Sequence, residues 1–377
     1  NYGITTKELE MRRLTLVSAA CATVLMMSGC ASTDSDTAEA ATPTPENCAP
    51  VTSTDLATED GWIGLIDQAP DTVGLVIDDG RGRTVEHRAD QEQVLASAIK
   101  VVHLAAYAQA VANGSIDPNE QVTLSDWERW YVPNTDGGAH PNALNRLGIA
   151  NTGTNATDPN ATVRIDDIVT AMIQESDNSV PDYLRYRLGD QAIIDAAATG
   201  GWEDFEVPSL VADMLSVFDP ALADEDRWET AQKWAFDPQF RAQVDAAAQQ
   251  ATYEEQATRV ESSFRGGSAQ QLNGMYRAFT DGTFGTASDT ILRQLEWQPA
   301  GDGVHGVGFK GGSLAGVLTQ GFELRRTDGT VATAVWLIDG LSADRFEQAY
   351  ADAGVQQQLI LEAMLSSDVL DRIACVV

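Results

Sequence analysis

The chain has 377 residues and carries 24 lysines and arginines against 56 aspartates and glutamates, for a net charge of −32 at pH 7. That charge excludes a nucleic-acid partner, whose phosphates would be repelled, and excludes a polybasic grip on anionic lipid. The length suffices for one large domain with a substantial core, and no repeat of fixed period is visible.

Asn1–Glu10 reads as sequence upstream of a start at Met11. From there Arg12 and Arg13 precede an apolar run, Leu14 to Met27. That run is shorter than the roughly 20 apolar residues that span a bilayer, and the pattern is that of an export signal. It closes on Met27-Ser28-Gly29-Cys30, which resembles a bacterial lipobox. The resemblance implies a lipid on Cys30 and an extracytoplasmic protein attached to the membrane through it; a plain secretory signal is the alternative. Residues 30–53, rich in Ala, Thr, Ser, Asp and Pro, read as a disordered tether. Residues 54–377 then form the folded domain, expected to be a monomer. Cys21 leaves with the signal and Cys30 is acylated, so Cys48 and Cys375 remain, one near each end of the mature protein. An oxidising compartment permits a bridge between them. That disulfide is expected, with two free thiols as the alternative.

Thr72–Asp79 followed by Gly80-Arg81-Gly82 predicts a strand and turn, with a second strand over Thr84–Arg88. A helix is expected from Ser97 to Ala112, stopped by Asn113-Gly114, and another over Ile165–Glu175. Residues 181–260 are acidic and helical in character. Val304–Phe309, Gly316–Arg325 and Val331–Ile338 read as strands in series, and Arg345–Ile373 as one amphipathic helix. Strands at both ends with helices between predict an α+β domain, its antiparallel sheet built from N- and C-terminal strands around an all-helical middle.

Lys7, Lys100, Lys233 and Lys310 are the only lysines in a chain that otherwise uses arginine. An ammonium can lose its proton when desolvated, whereas a guanidinium cannot, so the placement of these lysines is informative. Lys100 follows Ser97 by three residues, a spacing that puts amine and hydroxyl on one helix face. Helix dipole and burial both disfavour the charged amine there, so Lys100 could take the Ser97 proton. Ser176-Asp177-Asn178 ends an apolar helix about eighty residues later, and Lys310-Gly311-Gly312-Ser313 comes last, on an expected edge strand.

These three elements, in this order, resemble the Ser-x-x-Lys, Ser-Asp-Asn and Lys-Thr-Gly set of class A β-lactamases and penicillin-binding proteins. The resemblance covers most of residues 70–377. It implies that Ser97 is the nucleophile, Lys100 its base, and Ser176 a proton relay held between Lys100 and Lys310. It further implies that Asn178 offers its amide to the substrate, and that the Ser97 and Ser313 backbone N–H groups, with Gly312 beside them, form the oxyanion hole. No metal or cofactor is implied.

Two departures stand out. Gly311 replaces the hydroxyl-bearing residue that the family uses to hold a substrate carboxylate. The omega-loop glutamate that activates water for deacylation has no counterpart near Gly200–Leu210, where Glu203 and Glu206 come several residues early and are weak candidates. The expectation is therefore a serine hydrolase that acylates on a β-lactam, cell-wall peptide or ester and releases the product slowly. A catalytically silent envelope lipoprotein that binds peptidoglycan or a partner is the alternative. Trp130 and Tyr131 either touch substrate or pack an aromatic loop. His103, His140 and His305 lack the paired spacing of a metal site.

Overall fold

A computed structural model of the protein describes residues 48–248, 250–264 and 266–377. The expected export signal, Cys30 and the part of the expected tether before Cys48 lie outside the described residues. Nine strands are present there: β1 (Val73–Asp78), β2 (Thr84–His87), β3 (Gln93–Val94), β4 (Gln121–Thr123), β5 (Thr162–Arg164), β6 (Gly266–Gly267), β7 (Val304–Leu314), β8 (Val317–Arg326) and β9 (Val331–Ile338). Five of them form one antiparallel sheet in the order β2-β1-β9-β8-β7, so the chain's first strands lie against its last. Lys310 sits on β7, the edge strand, as its sequence context predicts.

Sixteen α-helices and three short 3₁₀ turns complete the described residues. The first seven are α1 (Glu59–Gln68), α2 (Lys100–Ala112), α3 (Leu124–Glu128), α4 (Ala139–Arg146), α5 (Ile165–Gln174), α6 (Val180–Leu188) and α7 (Asp190–Thr199). Next come α8 (Leu210–Phe218), α9 (Arg227–Phe236), α10 (Pro238–Ala247), α11 (Tyr253–Ser263), α12 (Ala269–Thr280) and α13 (Ala287–Leu295). The C-terminal region contributes α14 (Ala343–Ala351), α15 (Ala353–Leu365) and α16 (Ser367–Ala374). One long helix was expected over Arg345–Ile373. Instead the chain turns at Asp352 and leaves helical geometry at Ser366 (φ −126°, ψ 122°), which lets three shorter helices wrap the sheet.

The sheet separates two cores, and strand alternation assigns each side chain to one of them. On β9, Ala334, Trp336 and Ile338 face a core shared with Trp62 and Ile63 of α1, Leu359 and Ile360 of α15, and Ile373 of α16. Val335 and Leu337 face the other core, which contains nearly all of α2. From Lys100 to Ala108 every residue of α2 is buried, so this helix is the central post of the helical region. Cys48 and Cys375 form a disulfide with Cα atoms 5.4 Å apart, as expected from the sequence.

Candidate active site

The helix predicted from Ser97 is divided. Ala96–Ile99 forms a tight 3₁₀ turn and the α-helix proper begins at Lys100. Ala96, just before the candidate nucleophile, has φ +48°, and Ser176 has φ +69°. Neither is a glycine, and the left-handed region costs such residues about 1–3 kcal/mol each. The surrounding packing holds both, and both aim the loops that carry the candidate site.

Two chain segments, the turn that carries Ser97 and the loop 176–178, meet at the Lys100 amine. Its Nζ lies 2.9 Å from Ser97 Oγ, 2.7 Å from the Ser176 carbonyl oxygen, 3.2 Å from Ser176 Oγ and 2.6 Å from Asn178 Oδ1. Lys310 Nζ reaches the same Ser176 hydroxyl at 2.9 Å and the Gly311 carbonyl oxygen at 2.8 Å. Ser176 is therefore held between two amines, the arrangement the sequence motifs imply. Both lysines are buried, at 0% and 3% exposure, while Ser97 is part-exposed and open to a reactant.

Burial sets the electrostatics. Desolvation lowers the Lys100 pKa to about 7, outweighing the opposite pull of Asp177 and Asp136. Lys310 is pushed well below its usual range by burial first and by the Lys100 amine second. A neutral Lys100 has two N–H bonds and one lone pair. If its two closest acceptors, Asn178 Oδ1 and the Ser176 carbonyl, take the N–H bonds, the lone pair is left for the hydroxyls of Ser97 and Ser176. That is the geometry of a base awaiting a proton.

Strand β7 approaches Ser97, the candidate nucleophile, closely. A Cβ on Gly312 would come within 2.4 Å of the Ser97 backbone nitrogen and 3.0 Å of the Ala96 Cβ, so the absence of a side chain lets the strand lie alongside the serine. At Gly311 a Cβ would stand 2.9 Å from the Phe309 ring and 3.0 Å from Gln320 Oε1. The place of the missing hydroxyl-bearing side chain is thus crowded by residues of this chain. Ser313 follows on the same strand, paired with Leu318 of β8.

Other expectations resolve differently. Trp130 is 1% exposed and stacked on Trp228, with ring centroids 5.4 Å apart. Tyr131 is buried against His140, and its carbonyl oxygen accepts a hydrogen bond from Trp234 Nε1. Both belong to packing and not to a substrate surface. The stretch expected as an omega loop, 200–210, is only the beginning of a longer connection, 200–265, that carries α8 to α11. Within it Trp202 and Phe205 point inward and pack edge-to-face, while Glu203 and Glu206 are exposed. His305 is exposed, and His103 is buried in α2, where desolvation lowers its pKa to about 3.

His140 is the residue that reading the sequence underrated. Its Nδ1 lies 2.6 Å from Asp177 Oδ2 and its Nε2 3.2 Å from Glu128 Oε1, and all three side chains are buried. Burial disfavours the imidazolium, but the two carboxylates outweigh it and push the pKa up to about 10. Asp177 lies inside the second motif, and a buried carboxylate there was the one signal that a cationic partner had to exist.

Residues 63–236 match the beta-lactamase enzyme family. In overall structure the chain is similar to the beta-lactamase from Sphaerobacter thermophilus DSM 20745, with a TM-score of 0.51 and 18% identity over 82% of this chain and 97% of that one. It has a β-lactamase-like fold. The chromosome-encoded beta-lactamase of Vibrio parahaemolyticus shares this fold at a TM-score of 0.51 and 12% identity, covering 81% of this chain and 98% of that one. A beta-lactamase from Chitinophaga pinensis DSM 2588 does so at 0.50 and 12%, covering 76% and 93%. No curated protein matches the chain. The β-lactamase-like fold accounts for the sheet order and for the meeting of three distant motifs at one hydroxyl, that of Ser176.

Proposed function

We propose that this protein is a serine hydrolase of the penicillin-binding type that forms an acyl-enzyme on Ser97. The observation that carries this reading is the buried, deprotonation-prone Lys100 amine 2.9 Å from the Ser97 hydroxyl. In the proposed reaction Lys100 Nζ takes the Ser97 proton as Oγ bonds to the substrate's acyl carbon. The oxyanion is stabilised by backbone N–H groups of Ser97 and Ser313, donors of a kind worth about 3–4 kcal/mol each in other hydrolases. The C–N or C–O bond then breaks, and the proton passes from Lys100 through Ser176 Oγ to the leaving group. Asn178, whose Oδ1 faces Lys100, keeps its amide N–H bonds for the acyl side of the substrate.

Release of the acyl group is proposed to be slow, because Glu203 and Glu206 are exposed to solvent. β-Lactams would then act as inhibitors, and an ester or cell-wall peptide would be the natural substrate. Export, lipid attachment at Cys30 and a monomeric state complete the proposal. The deciding experiment is intact mass spectrometry with a penicillin and with a simple activated ester, on wild type and Ser97→Ala. A persistent adduct on wild type alone supports the acyl-enzyme. An adduct that survives in Ser97→Ala refutes the assignment of Ser97, and neither adduct nor hydrolysis with either reagent refutes the hydrolase and leaves the silent binder.

A further inference from the structure

Lys100 is touched on both sides of Asp177, by Ser176 and by Asn178, yet it makes no ion pair with that carboxylate. The reason is that both Asp177 oxygens are occupied elsewhere. Oδ2 meets His140 Nδ1, while Oδ1 accepts from the Ser179 backbone N–H at 2.8 Å and from the Ser179 hydroxyl. On its far side His140 meets Glu128, whose Oε1 also accepts the Ala156 N–H at 2.6 Å. The Trp127 and Tyr131 rings enclose the imidazole at 4.8 and 4.3 Å, and its backbone N–H donates to Asp136 Oδ2 at 2.8 Å. The ring is fixed on every side and fully removed from water.

We propose that His140 is a positioning residue that neutralises and holds Asp177, and so leaves Lys100 as an uncharged amine facing Ser97. This rests on Lys100 being the base of the acylation proposed above. The charged or titratable groups acting on Lys100 are Asp177 on the motif loop, Asp136 before α4, His103 one turn along α2, and Lys310 on β7. Of the two carboxylates, Asp177 acts more strongly on Lys100. Without an imidazolium against it, Asp177 would favour the ammonium form of Lys100, as an opposite charge nearby does. His140 thus acts on the chemistry through Asp177 and touches no reacting atom itself.

The test is NMR titration of the full chain labelled with ¹³C at the lysine ε carbon, which needs no substrate. The scarcity of lysines makes Lys100 assignable, with Lys233→Arg identifying the surface signal. His140→Asn should raise the Lys100 midpoint by about one pH unit or more, reducing the neutral amine at pH 7 about fivefold or more. Adding Asp177→Asn should bring the midpoint back. An unchanged midpoint in folded His140→Asn overturns the proposal, since a merely structural histidine would slow acylation without moving Lys100. If His140→Asn does not fold, ¹⁵N shifts of His140 in wild type decide. An imidazolium persisting to about pH 9 is expected, and a neutral ring at about pH 8 overturns it. Failure of acylation with a shifted Lys100 would refute the proposed function and leave this inference standing.

Discussion

Lys310 Nζ donates to Ser176 Oγ across 2.9 Å, which ties the last strand of the motif set to the loop that carries the second. The other partner of that amine is the Gly311 carbonyl oxygen, so its surroundings are hydrogen-bonding and not anionic. Two buried amines share one hydroxyl, and each disfavours a charge on the other. The site is built to be short of protons at neutral pH.

Acylation should therefore follow the ionisation of Lys100. The rate of adduct formation is expected to rise with pH through a midpoint of about 7, where the amine becomes neutral. Stopped-flow or quenched mass spectrometry over pH 5 to 9 measures it. A flat profile across that range would remove Lys100 as the base.

Stability should show the same chemistry with a definite sign. Between its depressed folded value and its ordinary 10.5, Lys310 carries a proton only in the unfolded chain. Falling pH therefore favours unfolding across that window, and the loss is complete below the folded value. Lys310→Met, which fills the same space without the amine, is expected to raise Tm at about pH 7 and to have a smaller effect near pH 11. Equal effects at both pH values would show that the amine is solvated after all.

The close approach at Gly312 gives a third expectation. Gly312→Ala puts a Cβ against the Ser97 backbone nitrogen at a distance that atoms do not tolerate, so strand and nucleophile must part. Acylation should slow by about 100-fold, the cost of a displacement near 1 Å. Gly311→Ala meets the Phe309 ring and Gln320 instead and should slow it less. Adduct formation rates for the two variants, measured side by side, check the order.

Replacing Cys48 and Cys375 by serine should leave acylation intact while lowering stability by about 2–5 kcal/mol in urea unfolding. The bridge joins Cys375, just after α16, to Cys48, ahead of α1, and neither residue belongs to the elements that carry Ser97, Lys100, Ser176 or Lys310. Loss of acylation in a folded double variant would place the bridge in the site's support.

What was legible in the sequence followed from local chemistry. Ser97, Lys100, Ser176, Asn178 and Lys310 stand in motifs whose residue types carry their own reasons, and the structure links all five in one hydrogen-bonded network through Lys100 and Ser176. The strands over 73–78 and 331–338 announce themselves by β-branched runs between turns. What was not legible depends on pairing across distance. His140 gains its meaning only when Glu128 and Asp177 close on it from α3 and the motif loop. Trp130 is an aromatic residue in a loop until Trp228, nearly a hundred residues later, covers it. The two-residue ladder between β3 and β6 is too short for any periodicity, although it pins the approach to Ser97.

The disulfide has a mechanical side. A pull along the chain ahead of Cys48 divides at that residue, passing through the backbone toward α1 and through sulfur into α16. Those two helices grip the same face of the sheet through Trp62, Ile63 and Ile373. Tension at the leading end is thereby delivered to both borders of one core at once, and the first helix cannot be peeled away alone. The turn that carries Ser97 packs into the core on the other face of the sheet and lies outside that load path.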